Sequence, residues 1–508
     1  MAMNWLGTFL TGGAGKNVIQ TVDPNVDMAS IGIFNVARYG MNPTAAPAAN
    51  RLALLQAVQD ALSVGGKVYV PGALKFYHTS GAPIVISSGQ PIQLVGDGAG
   101  SVITKDDGGD LFQFENYSGS PSGATISDLV LRYTNVESGG GNAIYAAGAQ
   151  LVIAERVWFL NCPSAYFMDN RSLQCGMDKC TVENTKQNNS IQIVLNGPQN
   201  FLRQTVMRQQ PIGSGGPTGT TAVQLLGNAS TLDAVQMSDF NVGLAIGQGA
   251  FRNYISKIFS EAWTTALLIM PAGNSGQIFK IYIAQCDFAQ TNNSNVTTAG
   301  VIVDPNGGPD TNLEEIEFTA CTSDGWIGPG WQLNGGKIKL IGGAGRGNGG
   351  GGFLAAGGFA KLRGFDALGA QVGASATQPY GLMASGAGAI DAAACDLRGN
   401  LTGALHNTSS GSVLLDNCPG YTDQNLAVDL TGSPPASGSA FKASQFGYFG
   451  KKAVFEIAGG TVTAIKRGPN PSTLKATGRT LGDLVLGENE YGELEYSVAP
   501  TTLFFVGH

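Results

Sequence analysis

Apolar and polar positions alternate along this chain in short runs, and the runs return. ATISDLVLRYTNV (124–136), QLVIAERVWFLNC (150–162), TLDAVQMSDFNV (231–242) and NLEEIEFTACTSD (312–324) each set an apolar residue before a polar one, then alternate up to a small or polar break. Taken at the polar residue, the copies fall at Asp128, Glu155, Asp178, Arg203, Asp233, Asn253, Lys280 and Glu315. Between them lie second apolar runs, such as IQIVLNG (191–197), LAIGQGA (244–250) and LLIMPAG (267–273), stopped by Gly, Asn or Pro. Runs this short, rich in Val, Ile and Leu and bounded by turn residues, are strands and not helices. A repeat of roughly 20–30 residues marks a solenoid, in which each unit buries its face only against its neighbours. Short strands, no helix between them and variable loops predict a parallel β-helix with coils about 4.8 Å apart. The tighter period and fixed Leu/Asn frame of a leucine-rich repeat are absent.

One stretch has a different period. In NRLALLQAVQDAL (50–62), Leu52, Leu55, Val58 and Leu62 share a helical face, and Asn50 is placed to cap it. Gly65 and Gly66 end the helix, and KVYVPG (67–72) follows as a strand. FNVARYG (34–40), this helix, GGKVYVPG and IQLVGDGAG together resemble the opening of pectate-lyase-like proteins. The resemblance implies an all-β chain: a right-handed parallel β-helix over 34–420, closed at its N-terminal end by the helix 50–62. An acidic run that many relatives carry before this helix reads NPTAAPAAN here, so no role of that run carries over.

The Gly-rich stretch 342–358 reads as thin coils, because apolar runs keep recurring through it to about Gly420. TGSPPASGSA makes 421–440 a linker, and 441–508 reads as a small C-terminal β-rich domain, with a hairpin at 458–460. GGTVTAI and YSVAPTTLFF resemble small C-terminal domains of phage tail-fibre and tailspike proteins. That likeness implies a virion-tail protein, a homotrimer, and a C-terminal domain serving as cap, trimerisation element or receptor binder. Residues 1–33 are then a lead-in, either frayed or docked on a phage tail or baseplate.

Composition narrows the picture. Gly is 74 of 508 residues, about twice ordinary usage, while charged residues at 13% are about half of it. No collagen triplet accompanies the Gly, which leaves turns repeated coil after coil. A net charge of −7 argues against nucleic acid as partner. No apolar run approaches a membrane span, and residues 1–16 lack the basic start of an export signal. Seven cysteines at similar places in their coils are expected to be buried free thiols. Three histidines leave little material for a His-based metal or nucleophile site, so no metal and no cofactor are expected.

Candidate chemistry rests on acids. The anchor row Asp128, Glu155, Asp178, Asp233 and Glu315 falls where turns bond their polar residues to backbone, and is read as structural. A second row stands at the end of each motif: Glu183, Asp239, Glu261, Asp287 and Asp324. Acids on adjacent coils would lie about 5 Å apart, within reach of the paired carboxylates of glycoside hydrolysis. Crowding raises their pKa values, which keeps one protonated as a general acid. Asp239, Glu261 and Asp287 are the catalytic candidates; an exposed acidic turn edge is the plain alternative. Trp263, Trp326, Asp324, Glu183, Asp169 and Arg171 are the substrate-binding candidates, with Trp331 and Tyr166 nearby, the aromatics by stacking exposed faces on sugar rings. No Arg stands beside the row in sequence, which favours hydrolysis over the lyase chemistry of pectate lyases, where calcium-binding carboxylates work with Arg or Lys. A phage-type spike binding and hydrolysing a bacterial surface polysaccharide is the expectation. A non-catalytic receptor-binding spike and a secreted, calcium-using lyase or epimerase are the alternatives.

Overall fold

The computed structural model describes residues 32–421, apart from 73–74, 88–89, 118–122, 135–139, 185–186, 211–215, 274–275, 291–296 and 370–377, and the backbone of strands between 428 and 506. The lead-in before residue 32 and most of the linker lie outside the described residues. The chain forms two compact units: residues 1–296 with 300–316, and 297–299 with 317–508.

In the first unit, one parallel sheet takes a strand from every coil: Ala124–Ser127, Val152–Glu155, Gly176–Asp178, Phe201–Arg203, Thr231–Asp233, Phe251–Ser256 and Ile278–Ala284 lie side by side in that order. A second sheet takes the strands that follow, including Trp158–Leu160, Thr181–Glu183, Val206–Arg208, Gln236–Ile246 and Phe259–Ile269. Sequential parallel strands joined this way wind as a right-handed parallel β-helix. Its core is a set of in-register stacks. Leu94, Ile126, Ala154, Met177, Leu202, Leu232, Ile255 and Ile283 pair one coil to the next, and all are buried. The second unit repeats the plan with Lys337–Ile341, Phe359–Arg363, Ala389–Ala393 and Val413–Asp416 in one row, and Trp331–Leu333, Phe353–Ala355, Tyr380–Ala384 and Gly403–Asn407 in another. Thus strands continue through the Gly-rich stretch. Farther on, Ala453–Ala458 pairs antiparallel with Thr461–Arg467.

The bend between the two sheets explains the anchor row. One residue per coil turns left-handed there: Asp128, Arg156, Lys179, Gln204, Ala234, Lys257 and Gln285, with φ between 45° and 55°. Each of the first six donates its N–H to the strand-end carbonyl of the next coil, as Lys179 does to Arg203 at 3.1 Å and Ala234 to Ser256 at 3.1 Å. That bond compensates a backbone state that non-Gly residues avoid. Glu155, Asp178, Arg203 and Asp233 do share one register. Asp128 falls one residue late, since its coil puts Ser127 opposite Glu155. Asn253 and Lys280 belong inside their strands, opposite Ile281 and, by the same register, Arg252.

All seven cysteines are free and buried. Each directly follows a left-handed residue (Asn161, Gln174, Lys179, Gln285, Ala320, Ala394, Asn417). Each thiol also donates to the carbonyl two residues earlier, at 3.3–3.7 Å. A small, buried residue with a weak donor suits the inside of such a corner.

The N-terminal helix runs Pro47–Val64, with Ala46 at the cap and Pro47 at its first position. Asn50 therefore lies inside the first turn and is not the cap. Its buried amide accepts from Asn42 N–H at 2.9 Å and donates to the carbonyls of Asn42 at 2.9 Å and His78 at 3.0 Å. The buried face is Asn50, Ala53, Leu54, Ala57, Val58 and Ala61, while Leu52 is exposed. Ala and Leu pairs let the helix sit close over the first coil, which the wider Leu52/Leu55 face would not. Asn50→Ala strands these partners, and a loss of about 1–3 kcal/mol is expected from urea denaturation.

Candidate active site

The register of the second sheet sorts the acidic row. Leu160, Glu183, Arg208, Ser238, Glu261 and Ala289 form one column across successive coils of the first unit. Glu183 and Glu261 are therefore column mates three coils apart. Asp239 is the residue after Ser238, at a left-handed φ of 66°, in the place where earlier coils carry Asn161 and Asn184. The ladder to the next strand shifts there, pairing Ser238 with Glu261 and Phe240 with Ala262, so Asp239 sits in a bulge. A bulge re-aims a side chain. Asp and Asn are among the few non-Gly residues that enter the left-handed state readily. Asp239 and Glu261 thus occupy adjacent coils, with backbone positions roughly 6 Å apart by strand spacing and rise. Asp287 lies on the next coil, two residues before Ala289, and is exposed.

Asp239 and Glu261 differ in their company from many of the other acids. Asp128 is ion-paired with Arg156 at 2.7 Å, Asp233 with Lys257 at 3.8 Å, Asp391 with Arg363 at 2.7 Å and Asp396 with Arg398 at 2.5 Å. The Arg156 guanidinium holds Asp128 below the usual carboxylate range. Asp239 and Glu261, both partly buried, have no ion pair or hydrogen-bond partner for their carboxylates among the described residues. Burial pushes Asp239 up, and burial followed by the Asp239 charge pushes Glu261 up. Such a pair is the arrangement from which acid–base chemistry at neutral pH is built. A carboxyl with a raised pKa favours the fold while protonated and loses that contribution as pH rises through its folded pKa. Asp239→Asn is thus expected to raise the melting temperature at pH 7, and the gain should vanish once the pH falls below about 4.

The other candidates have different surroundings. Asp324 belongs to the second unit and is bound by Arg346, at 2.8 Å to its guanidinium and 2.8 Å to its N–H. Its carboxylate is a structural ion-pair member. Trp263 is 8% exposed, Trp326 and Trp331 1%, and Tyr166 0%, so none offers a ring face to a sugar. Asp169 staples its own turn, accepting from Gly148 N–H at 2.8 Å, Ser172 Oγ at 2.9 Å and the Arg171 guanidinium at 3.1 Å. Burial works to raise its pKa, but these bonds outweigh it and hold Asp169 low. Arg171 is committed to the same turn.

One residue was missed. Arg208 stands in the column between Glu183 and Ser238, exposed, with no carboxylate partner among the described residues. In sequence it looks like any polar strand end; only the register puts it one coil from each. Among the described residues no group of three or more His, Cys, Asp and Glu could hold a metal ion. No described helix is long and apolar enough to cross a membrane.

No family model matches the sequence, and no curated protein matches it. Solved structures do. A tailspike protein mutant of E. coli bacteriophage HK620, in complex with pentasaccharide, is 10% identical over 96% of this chain and 94% of its own, with a TM-score of 0.54. Tailspike protein 3 of bacteriophage CBA120 is 14% identical over 93% of this chain and 76% of its own, at 0.44. The catalytic domain of a GH87 α-1,3-glucanase with nigerose is 13% identical at 0.39, and the chain spans 66% of it. The chain has the right-handed parallel β-helix fold seen in the HK620 tailspike.

Proposed function

We propose that this protein is a tailspike-like depolymerase that binds a bacterial surface polysaccharide (capsule, exopolysaccharide or O-antigen) and hydrolyses it within the chain. The observation that carries the reading is the unpaired Asp239–Glu261 pair on adjacent coils, both with raised pKa values. Glu261, raised by burial and by its neighbour, is the proton donor to the glycosidic oxygen. Asp239 is the ionised partner, activating water or attacking the anomeric carbon as the C–O bond breaks. Asp287, one coil on and exposed, and Glu183, down the column, are the proposed contacts to sugar hydroxyls. The shared fold with a tailspike crystallised with a pentasaccharide supports a glycan partner.

Action at the host cell surface from a virion tail, and a homotrimer, belong to the same proposal. An outward column of the second sheet supports self-association: Tyr145, Phe167, Ala245, Leu268 and Ile302, partly exposed apolar residues in one register with Val194 and Gln224. Docking on the tail through residues 1–33 completes it.

Arg208 favours a second reading. A cation beside carboxylates could neutralise a uronate, letting a base take the C5 proton as the C4–O bond breaks. The test is size-exclusion chromatography of capsule and O-antigen preparations incubated with the protein. Shortening without ultraviolet-absorbing unsaturated ends supports hydrolysis, and shortening with them supports the lyase. Binding without shortening leaves a non-catalytic spike.

A further inference from the structure

The coils that carry Glu261 and Asp287 present a second feature on the first sheet, across the bends at Lys257 and Gln285. Phe201, Thr231, Tyr254 and Tyr282 form one register column there. Tyr254 is 57% exposed and Tyr282 38%, and their rings stack at 5.4 Å with 17° between planes. Three residues earlier, Phe251 and Phe279 stack at 4.3 Å. The Arg252 guanidinium lies 4.6 Å from the Phe251 centroid, and that of Arg203 4.8 Å from Phe201. Neither arginine has a carboxylate partner among the described residues. Lys280 reaches Glu315 only at 3.9 Å, and Lys257 reaches Asp233 at 3.8 Å.

Large aromatics on an outward strand face cost solvation without a ligand to cover them. Here they lie beside four cations, of which Arg203 and Arg252 lean on ring faces, in a chain whose net charge is −7. Rings that offer apolar area with a polar hydroxyl, next to guanidinium groups, match the C–H faces and carboxylates of an acidic polysaccharide. We infer that the Tyr254–Tyr282 patch is a second, non-catalytic binding surface for an anionic polysaccharide. It would hold a polymer while the acid pair on the other sheet works. Only the identity of the natural polymer rests on the proposed function; the binding itself does not.

The test is affinity electrophoresis of the whole Glu261→Gln chain through gels containing polygalacturonate or alginate, with neutral dextran as control. Retardation by the polyuronates, weakened by salt, is expected. Tyr254→Ala/Tyr282→Ala and Arg252→Ala should each weaken apparent affinity about tenfold, and Tyr254→Phe/Tyr282→Phe should retain most of it. Unchanged melting temperatures would confirm folding. No retardation by either polyuronate, equal retardation by dextran, or unaltered retardation of both variants overturns the inference. A change of sedimentation coefficient in the double Ala variant also overturns it, by making the patch a protein interface. Failure of wild-type protein to shorten any polymer would sink the depolymerase reading alone.

Discussion

Glu261→Gln lowers the rate of polysaccharide cleavage by about 10²–10⁴-fold while leaving polymer affinity within a few-fold; this is the largest functional effect expected. Gln keeps the shape of the side chain and removes only the proton that can be given to the leaving oxygen. Asp239→Asn belongs to the same scale, and the double variant should be no worse than the poorer single one, because the two groups act as a unit. The pH profile separates their roles. Glu261 is raised first by burial and then by the Asp239 charge. A general acid is lost as pH rises through its pKa. The alkaline limb of whatever activity Asp239→Asn retains should therefore move to lower pH, because the repulsion is gone. An unmoved limb would mean that Asp239 is only a bend residue, like Asn161 and Asn184 before it.

The largest stability effect is expected in the second unit. Trp331 is fully buried, meets Phe318 edge-on at 5.0 Å and Phe365 at 6.3 Å, and donates its indole N–H to the Ala344 carbonyl at 2.8 Å. Trp331→Ala leaves a void among three coils and an unmet carbonyl, at a cost of about 3–5 kcal/mol. Trp331→Phe keeps most of the volume and should cost about 1–3 kcal/mol, chiefly the bond to Ala344. In a stack held by nearest-neighbour contacts, the loss falls first on the coils that touch the void. Urea denaturation of both variants, followed by far-ultraviolet circular dichroism, measures the difference; similar midpoints would rule out this packing argument.

Much of the fold was legible because a solenoid writes its period into the chain. Leu202 and Leu232 recur where the register later pairs them, and Asp178, Arg203 and Asp233 mark one bend. The helix was legible as a helix, but not its face: Leu52 and Ala53 both fit an amphipathic stripe, and only close approach to the first coil selects Ala. Asp239 and Glu261 stand out in sequence as acids that end their motifs, though both lie inside the long strands Gln236–Ile246 and Phe259–Ile269. Their neighbours do not. Trp263 and Trp326 read alike whether they face sugar or core, since a strand hides alternate residues on either side. Arg208 was invisible because its proximity to Glu183 and Ser238 is a property of register, 25 and 30 residues distant along the chain.

The cysteine corners carry a consequence for how the molecule meets oxidants. Burial raises Cys175 to about 11 and Cys180 to about 12, so these sulfurs stay protonated and unreactive at neutral pH. Cys418 differs: a hydrogen bond with the Cys395 thiol lowers it to about 7. Thiol chemistry is thus suppressed at the Cys175 and Cys180 corners, while the Cys395–Cys418 pair is where an oxidising medium would act first.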